Sequence, residues 1–365
     1  MKVSGFETAL VDLPLATPVK TSIHDIRRVA CLLLTLTTDE GVSGEGYVFC
    51  FGVDKLRVLD ALTRSLAGEV VGQDPHMVER IWADLFRRLN FFGQKGVTVI
   101  AMTAIDMALW DILGKRANLP LYKLFGGCRE RVPTYASGGL WLGSSLDELA
   151  SEARAFVQQG FRAVKLRIGK PAIAQDVERV SVVRQAIGAD IRLMVDANQG
   201  FTVDHAIRLG RQLEAFDLTW FEEPVPTEDF AGSAAVAAAL DTPIASAETD
   251  YTALGMQSFI ATKAADILMP DLQRMGGFTE MRKATALAGV HNLRVSPHLF
   301  TEHCLHVVAS APNATYVEHM PWFGRLFREA VALDQDGMIA VPDRPGAGFT
   351  FDYDKIEAYR VAAGA

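Results

Sequence analysis

Charged residues recur at the ends of short apolar runs in the second half of the chain. "RAVKLRI" carries Lys165 and Arg167, and "IRLMVDAN" ends in Asp196 and Asn198. "LTWFEEP" ends in Glu222 and Glu223, "TPIASAET" in Glu248, "ADILMPDL" in Asp271, "LRVSPHLF" in His298 and "ATYVEHM" in Glu318. The intervals are 222 − 196 = 26, 248 − 222 = 26, 271 − 248 = 23, 298 − 271 = 27 and 318 − 298 = 20. Each is the length of one strand and its following helix, so the series converges at one end of a sheet. Three carboxylates on neighbouring strands would repel one another in a partly dry site. A divalent cation relieves that repulsion, and an oxygen-only ligand set favours Mg2+ over zinc. Any one of these acids alone reads equally as a solvated loop residue; the periodic series reads as a site. Lys165 and Arg167, two apart in a strand, point to one face. If that face is inward, two cations meet the carboxylates.

The elements that would position these groups fall into two units. A chain of 365 residues is long for one compact core. Near its start, "CLLLTLTTDEGVSGEGYVF" is two apolar runs around an Asp-Glu-Gly turn, a hairpin signal. "VTVIAMTAIDMALWDILGKRANLPLYKLFGG" follows with helical spacing and Gly, Asn and Pro stops. After "GGCRERV", strands alternate with amphipathic helices such as "SLDELASEARAFVQQG". "PTYASGG", which contains Ser137, opens a set of eight strands. This alternation predicts a parallel sheet closed as a (β/α)8 barrel, with its active site at the C-terminal mouth. The barrel is expected over 126–325, and a smaller α+β unit over 1–125 plus the returning tail 326–365.

The formal net charge of −8 and the lack of a basic block argue against nucleic acid. No apolar run is read as approaching the roughly 20 residues of a membrane span. "MKVSGFETALVDLPL" lacks the regions of a signal peptide, and Cys31, Cys50, Cys128 and Cys304 form no CxxC pair. A cytoplasmic homo-oligomer with reduced thiols is expected.

"MVDANQGF", "WFEEPV", "ASAET", "LMPDLQRMGG", "SPHLF" and "YVEHM" together resemble the mandelate racemase group of the enolase superfamily. The helical segment "AIDMALWDILGKRANLPLYKLFGG" is similar too, so the resemblance covers nearly the whole chain. It implies a modified TIM barrel, (β/α)7β, capped by an α+β domain. It implies Mg2+ held by Asp196, Glu222 and Glu248, with Glu223 structural or behind the ligands. Asn198 is left either as a positioner of ligand water or substrate, or as a structural amide. The chemistry implied is the one shared across that superfamily: removal of the proton next to a carboxylate through an enediolate, with a Lys or His base and Mg2+. His298 and Asp271 match the family's His-Asp dyad. Glu318 matches the residue that hydrogen-bonds the substrate carboxylate, which requires a raised pKa. Lys165 matches the lysine that neutralises that carboxylate. His303, His306 and His319 remain unassigned.

One departure decides the expected reaction. The family usually has Lys-x-Lys where this chain has Lys165-Leu166-Arg167. A guanidinium, with a pKa above about 12, is a poor base near neutrality. Arg167 therefore reads as a substrate or leaving-group contact, or as an ion-pair partner. Racemisation needs an acid/base group on both faces of Cα. Syn elimination needs only His298, which can take the α-proton and return it to the β-hydroxyl. The reading is an acid sugar dehydratase giving a 2-keto-3-deoxy acid, with a racemase or epimerase as the alternative. "ADILMPDLQRMGG" lacks the sixth-strand lysine of cycloisomerases and dipeptide epimerases, which counts against both. The loops "TPVKTSIHDIRR" and "YVFCFGVDK" are expected over the mouth, with Lys20, His24 and Arg27 as polar contacts to a small sugar acid. Ser137 is a further candidate contact.

Overall fold

The computed structural model describes residues 1–361. The chain opens with an antiparallel sheet, β1 (Val3–Lys20), β2 (Asp25–Thr38) and β3 (Ser43–Cys50), in sequential order. The expected hairpin is β2–β3, and its turn is closed by Thr38, whose hydroxyl donates to Val42 O at 2.8 Å. Helices α1 (Val53–Val70) and α3 (Val97–Ala117) pack on this sheet, and α2 (Val78–Arg88) packs on α3. β3 lies close against α3 because Gly44 and Gly46 present no Cβ: one at either position would run into the carbonyl oxygens of Ala108 and Ala104.

Helix α3 corrects one expectation. It has 21 residues, and an 18-residue window of it has a mean hydropathy of 1.6, long and apolar enough by length and composition to cross a membrane. Its apolar character serves burial instead, since 83% of that window is enclosed within the protein. A helix that is apolar all round belongs between layers of a larger core.

After the short helix α4 (Leu121–Leu124), eight parallel strands follow: β4 (Arg131–Ala136), β5 (Ala163–Arg167), β6 (Arg192–Asp196), β7 (Leu218–Glu222), β8 (Ile244–Ser246), β9 (Ile267–Leu268), β10 (Arg294–Val295) and β11 (Val317–His319). Between them run α5 (Leu146–Gln158), α6 (Ile173–Ile187), α7 (Val203–Leu213), α8 (Phe230–Ala239), α9 (Thr252–Thr262), α10 (Phe278–Val290) and α11 (Thr301–Ser310). The sheet runs β10 to β4 and then β11, and its two ends meet where Val295 bridges Ala314 and accepts from Thr315 N at 2.8 Å. The architecture is a (β/α)7β barrel. Tyr135, Ala163, Met194, Trp220, Ala245, Ile267 and Met269 form one apolar cluster of strand residues.

The tail divides between the two units. β12 (Met338–Ala340) pairs antiparallel with β4 of the barrel. Beyond it, Phe351 N donates to Glu45 Oε2 at 2.8 Å and Tyr353 meets Thr35 at 3.0 Å, which ties the last described turns to the first sheet. A boundary at 326 therefore cuts through a shared segment. Two pairings hold the cap over the mouth. Ser22, between β1 and β2, donates to Ile168 O at 3.2 Å just past β5, and Leu142 N donates to Lys20 O at 3.0 Å. Gly169, at φ 137°, leaves the room that Ser22 occupies.

A side chain at Gly46 must displace α3 backbone, so Gly46→Ala should destabilise by about 1–3 kcal/mol. Gly68 in α1 has nothing within 4 Å of a Cβ, so Gly68→Ala should leave stability equal or higher. Thermal unfolding of the two variants checks the contrast; equal midpoints would mean that β3 and α3 are not in close contact.

Candidate active site

Strand geometry puts the two cations of β5 on one inward face, as the spacing predicts. Lys165 is 1% exposed and Arg167 5%. Lys165 Nζ donates to Glu222 Oε1 at 2.6 Å and lies 3.1 Å from Glu318 Oε1 and 3.4 Å from Asp196 Oδ2. Burial alone would lower its pKa; Glu222 and Glu318 outweigh that and hold the ammonium charged. Arg167 Nη2 donates to Ser137 Oγ at 3.2 Å, and the guanidinium lies 5.1 Å from the ring centre of Trp141. Its Nε is 3.4 Å from Asp196 Oδ2 without hydrogen-bond alignment, and Nε and Nη1 are buried with no partner. Burial would lower its pKa, but Asp196 and Glu222 raise it, so Arg167 stays a cation.

The dyad forms as expected. Asp271 and His298 are bridged residues at the ends of neighbouring strands, with His298 Nδ1 2.6 Å from Asp271 Oδ2. Asp271 Oδ1 accepts from Gln273 N and Arg274 N, both at 2.9 Å, which fixes the carboxylate. The Nδ1 proton is therefore directed at Asp271, and Nε2 faces the site, 3.5 Å from Glu248 Oε2.

Glu318 corrects an expectation. Both of its oxygens accept: Oε1 from Ser137 Oγ at 2.5 Å and Oε2 from Leu299 N at 2.7 Å. Burial pushes its pKa up, but Lys165, His298 and Arg167 outweigh burial and bring it to about 2. Without substrate it is a carboxylate, because every neighbour donates and none accepts. Ser137 is also placed differently from the expected substrate contact. It is fully buried, with its proton on Glu318 and its oxygen on Arg167, so it positions those two groups.

Asp196 and Glu222 are paired across β6 and β7, and Glu248 follows β8. All three are buried. Among the described residues, no three acidic, His or Cys side chains converge as an ion-holding group. Asp196 and Glu222 are turned onto Lys165 instead, Glu248 lies toward His298, and Glu222 Oε2 takes Trp220 Nε1 at 2.8 Å. The donor chemistry nonetheless fits Mg2+. The set is all oxygen, and burial followed by Asp196 pushes the Glu222 carboxyl well up, so full ionisation calls for added positive charge. Asn198 donates to Asp196 from its backbone N (2.8 Å) and from Nδ2 (3.3 Å), while its Oδ1 is buried with no partner. Glu223 is held by Gln199 Nε2 at 2.7 Å and Thr227 Oγ1 at 3.0 Å, a structural role.

His24 sits at the mouth, its ring 5.6 Å from Phe51 of the second cap loop and close enough to feel the charges of Arg274 and Glu248. Arg27 is 77% exposed, with Asp25 at 3.9 Å. His306 is a satisfied core residue, accepting from Tyr122 N and meeting Ala347 O at 2.8 Å. His303 is buried among Tyr47, Phe278 and Phe327, and burial brings its pKa to about 3.

Residues 148–355 match the family described as Enolase C-terminal domain-like. Residues 5–126 match the N-terminal domain of the mandelate racemase / muconate lactonizing enzyme family. The chain belongs to the mandelate racemase / muconate lactonizing enzyme family of the enolase superfamily. It is 35% identical over 97% of its length to 3,6-anhydro-alpha-L-galactonate cycloisomerase of Streptomyces coelicolor, covering 98% of that protein. It is also 35% identical over 96% of its length to L-talarate/galactarate dehydratase of Salmonella typhimurium, covering 89% of it. A solved structure of the latter, liganded with Mg and L-lyxarohydroxamate, superposes with a TM-score of 0.94 at 34% identity, covering 99% of this chain and 93% of that one. A relative as similar as the dehydratase bears a cycloisomerase name, so overall similarity does not separate the two reactions.

Three supporting residues of this family member escaped the reading of strand ends. Trp220 lies two before Glu222 on the same strand face, so a period of two could have found it. Leu299 acts through its backbone N–H, and Arg274 holds Glu248 O at 2.7 Å; neither leaves a side-chain pattern in the sequence.

Burial lowers the pKa of His298, but Glu248 and Asp271 outweigh it and raise the imidazole from 6.5 to about 9. A folded-state pKa above the unfolded one contributes stability that is complete below about pH 6.5 and lost as pH rises through about 9. In Mg2+-free buffer, the urea midpoint of the wild type should fall across that window more than that of His298→Asn. Parallel curves would mean that the imidazole is not charged in the folded protein.

Proposed function

We propose that this enzyme is a Mg2+-dependent acid sugar dehydratase that removes the proton α to a carboxylate and expels the β-hydroxyl, giving a 2-keto-3-deoxy acid. One observation carries the reading. The site has a single evident acid/base, His298 held by Asp271, while the opposite family base position holds Arg167, kept charged by Asp196 and Glu222. Asp196, Glu222 and Glu248 would hold the ion, with Asn198 supporting Asp196. Bound Mg2+ supplies the positive charge that offsets the negative charge developing on the substrate carboxylate. Lys165 neutralises that carboxylate, and Glu318 holds the Lys165 ammonium in place. A cation held by Glu248 would offset the charge that keeps the imidazole protonated, and neutral His298 Nε2 then takes the α-proton. The resulting imidazolium lies on the same face and returns the proton to the departing β-hydroxyl, so water leaves and the enol becomes the keto acid. The unpartnered Nε and Nη1 of Arg167 supply two donors for substrate hydroxyls. Lys20 and His24 of the cap loop would contact the far end of the sugar acid.

The Streptomyces coelicolor relative favours a second reading. In a 3,6-anhydro acid the β-oxygen belongs to the ring, so the same elimination opens the ring and yields an isomer without loss of water. Racemisation would need a second base, which Arg167 does not supply.

Glu248→Gln removes one anionic ligand. It should abolish Mg2+ binding by titration calorimetry and activity together, with the far-ultraviolet circular dichroism unchanged. Wild-type activity in metal-free buffer would defeat the metal assignment.

A panel of mono- and diacid sugars with Mg2+ in D2O, followed by proton NMR, tests the reaction. A 2-keto acid carrying deuterium at C3 is the expected product. The native enzyme should exchange the α-proton of one Cα configuration only. Arg167→Lys should lower turnover and gain exchange with the opposite configuration, because an amine beside Lys165 can lose its proton where a guanidinium cannot. Comparable exchange of both epimers by the native enzyme would replace the dehydratase reading with the racemase one.

A further inference from the structure

The N-terminal mouth of the barrel, at the opposite end from the catalytic groups, is cationic in a protein whose formal net charge is −8. A cavity of about 570 Å³ opens there, lined by Arg129, Arg192, Arg294, Thr219 and Tyr316 among others, with no acidic residue in its wall. That volume is in the range of about 300–1,000 Å³ usual for small-molecule sites. Arg192 and Arg294 are the first residues of β6 and β10, four strands apart in the ring of eight, so they face each other across the opening. Arg131, the first residue of β4 at the same end, is neutralised by Asp334 and Asp336; Arg192 and Arg294 have no such partner among the described residues.

The rest of the wall is built from donors. Arg129 is fixed by carbonyl oxygens, Nη1 donating to Ala314 O at 2.9 Å and Nη2 to Ala311 O and Pro312 O at 3.2 Å each, so its charge is held in place without a counter-ion. The Tyr316 phenol lies close enough to feel both Arg192 and Arg294. Thr219 Oγ1 is buried with no hydrogen-bond partner. Guanidinium forks with hydroxyl donors and no acceptor side chain of opposite charge match an oxyanion with several charged oxygens. Four residues of strand separate Arg192 from Asp196, or about 13 Å, so an occupant here would not touch the catalytic groups.

We propose that this mouth is a second binding site, for a small phosphate-class dianion clasped between Arg192 and Arg294, with Arg129, Tyr316 and Thr219 completing the wall. Its source is free phosphate or a phosphate monoester. The site stands whether or not the dehydratase reading holds.

The test is calorimetric titration of the intact protein with inorganic phosphate and with glycerol 3-phosphate, at ionic strength held constant with chloride. Saturable binding is expected, weakened at least tenfold by Arg192→Gln with Arg294→Gln and also weakened by Tyr316→Phe, but unchanged by Lys165→Ala. Binding of phosphate alone identifies the free ion as the source; equal or tighter binding of glycerol 3-phosphate identifies a monoester. Because Arg192 and Arg294 are exposed, the double variant should keep its circular dichroism spectrum and its Mg2+ affinity. No saturable heat with either probe would overturn the proposal, as would binding that survives in the double variant but is lost in Lys165→Ala. A double variant that changes oligomeric state, from a wild type that takes up no phosphate, would instead make the mouth a protein contact.

Discussion

Lys165 is a fully buried ammonium shared by three carboxylates, Glu222, Glu318 and Asp196. A buried charge is tolerated only when paired and hydrogen-bonded, and an acid left without its partner would cost several kcal/mol. The rest of the mouth follows from this constraint. Glu222 gains Trp220 as a second donor, Glu318 gains Ser137 and Leu299, and Asp196 gains both nitrogens of Asn198. Asp271 takes two backbone N–H groups in addition to His298. The donors hold each acid in one orientation, and the surplus of negative charge makes the site receptive to a cation.

Backbone strain collects where these side chains must be aimed. Asn198, Glu223, Ala247, Leu299 and Phe300 all have positive φ, and all sit just past the ends of β6, β7, β8 and β10. Non-glycine residues in this region persist only where the surroundings over-determine them, and they gather at functional sites. Leu299 shows the gain: at φ 50° it follows His298 directly and turns its N–H onto Glu318, so one sharp turn both presents His298 and holds the carboxylate. Thr301, two residues on, donates to Glu318 O at 2.7 Å and fixes the same strand end from behind.

The cap serves the mouth through a few contacts. Ser22 and Lys20 reach the ends of the barrel strands through backbone oxygens and nitrogens, which need no particular barrel side chain, and Phe51 and His24 meet above the charged floor. An arrangement of this kind lets the chemistry stay on rigid strands while the loops alone vary the fit to a substrate.

Much of this was legible in the chain itself. Apolar runs each ending in a polar residue, spaced by 20 to 27 positions, were sufficient for the barrel, because only strand-helix units of that length bring such residues to one end. The period of two placed Lys165 and Arg167 on one face, since a strand alternates sides regardless of its surroundings. What the chain alone could not decide depends on contacts between distant segments. The low pKa of Glu318 comes from Lys165 and Arg167 of β5 and from His298 after β10, all distant in sequence from it. The buried role of Ser137 depends on Glu318, 181 residues away. The burial of α3, which by composition could cross a membrane, depends on two glycines of β3 that let the sheet close on it. Periodicity is a local property of the backbone and is written in the sequence, whereas charge state and burial are sums over neighbours that only the closed barrel and its cap assemble.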